Sequence, residues 1–172
     1  LPFLQYFKKD IKLVPFSNVL FTLSLFVEIG KELARAIKDL NKKVVIIASS
    51  DMTHYESQES AQRKDTQAIE AILDLNEDEL LKRVEKLNIS MCGYAPAVSL
   101  ISAAKELGAT TAELVRYQTS GDIIGDYSSV VGYAGIMIKA EEMHPLAKLA
   151  KQTVETFVKE GKTPHPEELT PE

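Results

Sequence analysis

Tryptophan is absent from the 172 residues, cysteine occurs once, and histidine three times. A lone cysteine, Cys92, excludes a disulfide within the chain and fits a reducing, cytoplasmic setting. No apolar run approaches the ~18 residues of a membrane span, so no membrane partner is expected. No signal-peptide pattern opens the chain. A basic excess is missing as well. Twenty basic against 25 acidic side chains leave a net charge of -5, which suits no electrostatic grip on nucleic acid. The opening Leu1-Pro2-Phe3 reads as the middle of a longer chain.

What is present suffices for a core. The chain is 45% hydrophobic, and a chain of this length buries roughly 70% of its unfolded surface. Apolar, β-branched or alternating runs predict strands near 11–14, 44–48, 111–117 and 131–138. Pro15 would stop the first, and the unbroken Val44-Val45-Ile46-Ile47-Ala48 reads as a central strand covered on both faces. Gly132 and Gly135, unusual inside a strand, suggest that a backbone or a ligand comes close.

Between the strands the period changes to that of helices. Leu25, Ile29, Leu33, Ala36, Ile37 and Leu40 define one amphipathic stripe, and Ala61, Ala68, Ile69 and Ile72 a narrower one over 57–75. Leu80, Leu81, Val84 and Leu87 follow acidic residues that suit the positive end of a helix dipole. A further helix spans 97–107, with Pro96 in its first turn and Gly108 at its end. The expected architecture is an α/β domain: one mixed sheet flanked by helices on both faces. Residues 140–172 differ in character, with a helix from His144 and then a proline-rich run.

Polar groups collect at element ends. Asp51 and His54 follow the strand at 44–48, Cys92 and Gly93 precede a helix, and Ser120 and Asp122 leave a strand. In α/β sheets the carboxyl ends of strands form the ligand crevice. Taken singly, each group has a plain structural use as cap, turn or small buried side chain. Taken together they suit three chemistries. Cys92 at a helix N-terminus, with His54 as base and Asp51 orienting it, would make a nucleophilic hydrolase. Cys92 as a metal ligand with His54 beside it suits zinc, iron or copper. The third is a binding pocket without chemistry. For any shared site, the His54 and Cys92 side chains must lie within roughly 10 Å.

Ser49-Ser50-Asp51-Met52-Thr53-His54-Tyr55 resembles the Ser-Ser-Asp-x-x-His-aromatic signature of the Memo family. Met91-Cys92-Gly93-Tyr94-Ala95-Pro96, Tyr117-Gln118-Thr119-Ser120-Gly121-Asp122 and Val131-Gly132-Tyr133-Ala134 resemble further elements of its pattern, in order. Leu1-Pro2-Phe3 is similar to the end of its His-Ser-x-Glu-x-x-Leu-Pro segment. The resemblance covers residues 1–139 and implies the C-terminal part of a fold like that of the class III extradiol dioxygenases, truncated at its N-terminus. It further implies an iron or copper site, ahead of zinc, built from two histidines and a cysteine. The cysteine maps onto Cys92, and His54 onto the acid/base position, with Asp51 as the neighbouring carboxylate. The two histidines belong to the family's N-terminal half, so the site is expected to be incomplete in this chain. Residues 140–172 are similar to the start of an AMME-chromosomal-region domain, as in AmmeMemoRadiSam-type fusions.

The resulting expectation is a metal-dependent redox or dioxygenase-like protein acting on a small molecule. The alternatives are a peptide- or protein-binding module of the same family and a Cys/His hydrolase. A homo-oligomer, or pairing with the missing N-terminal half, is the expected assembly.

Overall fold

The computed structural model describes residues 2–7, 9–17, 22–40 and 42–140. The chain divides into units Leu1–Lys139 and Ala140–Glu172. The helix and proline-rich run expected beyond 140 lie outside the described residues.

After a short helix α1 (Pro2–Phe7), the first long element is α2 (Leu23–Leu40). Its buried face is Phe26, Gly30 and Ala34, one residue round from the predicted stripe, and Leu40 is exposed. The shift has a steric cause. A Cβ on Gly30 would strike the Ser99 carbonyl and come within 2.7 Å of the Ser102 Cβ. The missing side chain therefore lets α2 and α5 (Tyr94–Glu106) touch at their backbones. The serines facing that contact are satisfied across it: Ser99 Oγ donates to the Phe26 carbonyl at 2.9 Å and Ser102 Oγ to the Val27 carbonyl at 2.9 Å.

The middle helices follow from local chemistry. Helix α3 (Gln58–Leu73) starts at Ser57, whose side chain accepts from the Ser60 N–H. Helix α4 (Glu77–Lys86) starts at Asn76, whose side chain accepts from the Glu79 N–H at 3.0 Å. Leu80 and Val84 of α4 meet Ala68, Ile69 and Ile72 of α3 and Val98 and Ile101 of α5 in one core.

The sheet has three strands, β1 (His54–Glu56), β2 (Thr111–Thr119) and β3 (Val130–Lys139), in the order β1-β3-β2. Both pairings are antiparallel. The expected mixed sheet is therefore corrected to an antiparallel one among the described residues. Helix α3 packs on one face, where Tyr117, Ala134, Ile136 and Ile138 reach the core. On the other face Val115, Tyr133 and Met137 are exposed, so helices on both faces are not found among the described residues. Between β2 and β3 runs the short α6 (Gly121–Ile124).

Two expected strands are absent. Residues 11–14 and 44–48 are not strands, and no described segment forms a ladder with either. Propensity favours an extended backbone, while a strand also needs a neighbour to accept and donate its hydrogen bonds. Conversely β1 was hidden. It is three residues long and carries a bulge, with Tyr55 at φ 58°, a left-handed conformation that is costly for a bulky side chain.

Candidate metal centre

The segment that leaves Ala48 is stapled to the start of α5. Ser50 Oγ accepts from the Gly93 N–H at 2.8 Å and donates to the Asp51 carbonyl at 2.7 Å. A Cβ on Gly93 would lie 2.6 Å from the Ser49 carbonyl oxygen, so only glycine permits this approach. The close contact brings Cys92 beside Asp51, and the Asp51 N–H donates to Cys92 Sγ at 3.1 Å.

His54 is fixed from the other side. Its N–H donates to Ser90 Oγ at 2.7 Å, and its ring Nδ1 lies 2.6 Å from the Ser90 carbonyl. A carbonyl only accepts, so Nδ1 carries the proton and the neutral ring offers its lone pair at Nε2. Nε2 lies 3.6 Å from Asp51 Oδ2. One ligand atom each of Asp51, His54 and Cys92 lies within 4.8 Å of the others, the one such group found among the described residues. Cys92 is exposed and the other two are partly buried. The cluster brings a thiol, an imidazole and a carboxylate within reach of one another, with the imidazole's other nitrogen held by a carbonyl.

A second layer underlies it. Asp65, fully buried on α3, accepts from the Thr53 N–H at 2.9 Å and from the Tyr117 hydroxyl at 2.8 Å. Burial, then the bond to Asp65, pushes the Tyr117 phenol well above its usual value. Met52 N–H donates to the Gly132 carbonyl and Gly132 N–H to the Thr53 carbonyl, each at 2.9 Å, so the residues before His54 are clamped between α3 and β3. Gly132 leaves room for the Asp65 carboxylate, which a Cβ there would strike. The close approach expected at Gly132 is thus a side chain, and at Gly135 nothing comes nearer than 3.9 Å to where a Cβ would sit. Beyond His54, Glu56 accepts from Lys64 and Ser60, each at 2.6 Å, and the Lys64 bond holds its carboxyl below the usual range.

Ser120 and Asp122 serve elsewhere. Ser120 Oγ accepts from the Val131 N–H at 3.0 Å, and Asp122 accepts from the Thr119 N–H at 2.8 Å and from Gln58. Sequence reasoning missed Asp65, Ser90 and Tyr117. Asp65 left a signal, an acid in the apolar stripe of Ala61, Ala68 and Ile72, whereas Ser90 left none.

Next to Cys92 lies a cleft of about 590 Å³, bounded by Val14, Phe16, Ile46, Ile47, Tyr94 and Leu100 among others. None of its lining residues is charged.

These features define an α/β protein with a histidine–cysteine–aspartate cluster at the junction of its sheet and a helix N-terminus. The chain belongs to the Memo family: the family described as Memo-like protein matches residues 1–137. It is 47% identical over 143 residues to a MEMO1 family protein of Methanocaldococcus jannaschii, covering 81% of this chain and 50% of that one. A MEMO1 family protein of Methanococcoides burtonii is 48% identical over 140 residues, 81% of this chain and 53% of that one. One of Methanopyrus kandleri is 43% identical over 140 residues, 81% and 50%. The chain spans about half the length of the curated relatives it matches.

Proposed function

We propose that the Asp51, His54 and Cys92 cluster is this chain's share of a metal-dependent redox or dioxygenase-like site, set in an extradiol-dioxygenase-like fold. One observation carries the reading: three donors of different chemistry lie within 4.8 Å of one another. The donor set fits the implied group. Thiolate and imidazole suit iron or copper, and zinc less specifically, while a carboxylate adds charge balance. Cys92 and Asp51 would hold the metal, which when bound would polarise oxygen or an oxygen-rich small molecule.

The remaining work falls to the chain's own groups. His54, its Nδ1 proton held on the Ser90 carbonyl, has Nε2 available to take a proton from substrate and return it. The Asp51 carboxylate, 3.6 Å from Nε2, is placed to pair with the ring once Nε2 has taken that proton. Asp65, through the Thr53 N–H, fixes the backbone that delivers His54. A phosphopeptide-binding role has less support, because the cleft beside Cys92 offers no cation to a phosphate.

Anaerobic titration of the 172-residue chain with Fe(II), Cu(I) and Zn(II), followed by elemental analysis, tests the reading. We expect one equivalent of iron or copper, lost in Cys92→Ser and weakened in Asp51→Asn, with His54→Gln lowering turnover more than metal content. Binding that ignores Cys92→Ser, or no binding of any of the three metals either by this chain or by the longer Methanocaldococcus jannaschii relative, refutes it. Rapid alkylation of Cys92 that the metals do not slow, with ester hydrolysis abolished by Cys92→Ser, would favour a Cys/His hydrolase instead.

A further inference from the structure

Two segments far apart in the chain meet at His54, and among the described residues no main-chain hydrogen bond joins 54–56 to 88–90. Their register rests on side chains. Ser90 supplies two contacts, to the His54 N–H and to the ring Nδ1. The other link is Lys64, in the second turn of α3. Its ammonium donates to Glu56 Oε1 at 2.6 Å and to the Asn88 carbonyl at 3.2 Å. Glu56 lies two residues after His54, and Asn88 two before Ser90. Asn88 follows the end of α4 in the left-handed conformation, φ 49°, and the Ile89 N–H returns to the Val84 carbonyl at 2.9 Å. Asp65, next on α3, holds Thr53. Consecutive residues of one helix thus grip the chain on both sides of His54.

A Lys–Glu pair on a protein surface usually contributes little. This one differs in three respects. The Lys64 and Glu56 side chains are 17% and 27% exposed, so solvent screens the pair less. The second carboxylate oxygen of Glu56 accepts from Ser60 Oγ at 2.6 Å, which fixes the acceptor in place. The ammonium also has a further partner, and that partner belongs to the segment that orients the His54 ring. We propose that Lys64 is a positioning residue for His54: by cross-linking Glu56 to the Asn88 carbonyl it keeps the Ser90 carbonyl on Nδ1, and so fixes Nε2 as the basic nitrogen. An imidazole released from that carbonyl shares its proton between two nitrogens, and one tautomer alone leaves the lone pair at Nε2, beside Asp51. The inference rests on the reading of His54 as the proton carrier, and not on a bound metal.

Nitrogen-15 NMR of the metal-free 172-residue chain tests it, with the histidines labelled and the pH set where their rings are neutral. Three histidines give signals, and His54→Gln identifies the one that matters. We expect His54 to hold a single tautomer, protonated at Nδ1. Lys64→Met keeps the aliphatic stem and removes the ammonium. It should turn that tautomer into a mixture and speed exchange of the Nδ1 proton at least ~10-fold. Lys64→Arg, which restores a cation with several donors, should recover the single tautomer in large part. A lysine that serves the fold alone would lower the melting temperature and leave the tautomer as it is. If Lys64→Met does not fold, Glu56→Gln decides: it removes the charge that anchors the ammonium and should shift the tautomer in the same direction. Two results overturn the proposal. His54 is already a mixture of tautomers in the unsubstituted chain. Or the folded variant, Lys64→Met or Glu56→Gln in its place, keeps the His54 signals of the unsubstituted chain. Metal titration of the same samples separates this inference from the proposed function. A tautomer change without metal binding leaves the positioning role standing, and metal binding without a tautomer change removes that role alone.

Discussion

Replacing Asp65 with alanine should damage both stability and the candidate site, by an amount the structure sets. The carboxylate is fully buried and accepts two hydrogen bonds, from the Thr53 N–H at 2.9 Å and the Tyr117 hydroxyl at 2.8 Å. Alanine leaves both donors with no acceptor, and each orphaned group costs about 1–3 kcal/mol, giving roughly 2–6 kcal/mol together. That is a large part of the 5–15 kcal/mol that typically holds a domain folded. At ~3 °C per kcal/mol it corresponds to roughly 6–18 °C in Tm. Asparagine should behave differently. Its carbonyl can accept from Thr53 while its amide donates to the Tyr117 oxygen, so Asp65→Asn should cost about 1 kcal/mol or less. Far-UV circular dichroism in urea is the assay. The same variants report on the site, because Thr53 immediately precedes His54: metal affinity should fall in Asp65→Ala and survive in Asp65→Asn. An alanine variant costing under about 1 kcal/mol, or an asparagine variant as weak as alanine, would refute the reasoning.

Thr53 Oγ1 is buried with no hydrogen-bond partner, so Thr53→Val should be neutral or stabilise by up to ~1 kcal/mol in a urea melt. Gly93→Ala places a Cβ 2.6 Å from the Ser49 carbonyl and should cost about 1–3 kcal/mol. Because the Cys92–Asp51 contact opens with it, alkylation of Cys92 should change rate in the same variant. The Tyr117 phenol is raised on folding from its ordinary 10.0, so the unfolded chain releases that proton first. Its contribution to stability is complete below pH 10 and declines above it, and Tyr117→Phe should remove that part of the alkaline slope in pH-dependent melts.

Helix starts were legible because their causes are local. Ser57 and Asn76 each satisfy an N–H three residues on, and neither needs anything distant to do so. The site was legible for a related reason: Asp51 and His54 share one turn of chain, and Cys92-Gly93 announces a helix start. What stayed hidden depended on contacts far along the chain. The buried face of α2 is set by Gly30 against Ser99 and Ser102, about 70 residues later, and hydrophobicity counts alone favoured its neighbours. Asp65 broke an apolar stripe and looked like a gap in it, although it holds Thr53 and Tyr117 from opposite directions.

The segment at 44–48 shows the same division from the other side. Its residues specify a strand, yet no ladder forms with it among the described residues. Local propensity cannot supply a partner, and hydrophobic patterning states only that one is required. Ile46 and Ala48 are half-buried while Val44, Val45 and Ile47 are exposed, so among the described residues the cover that the pattern calls for is only partly present. The cluster at Asp51, His54 and Cys92 shows the same dependence on distant contacts: Ser50 reaches Gly93, Ser90 holds the His54 ring, and Asp65 fixes Thr53 beside it, none of which a local pattern states.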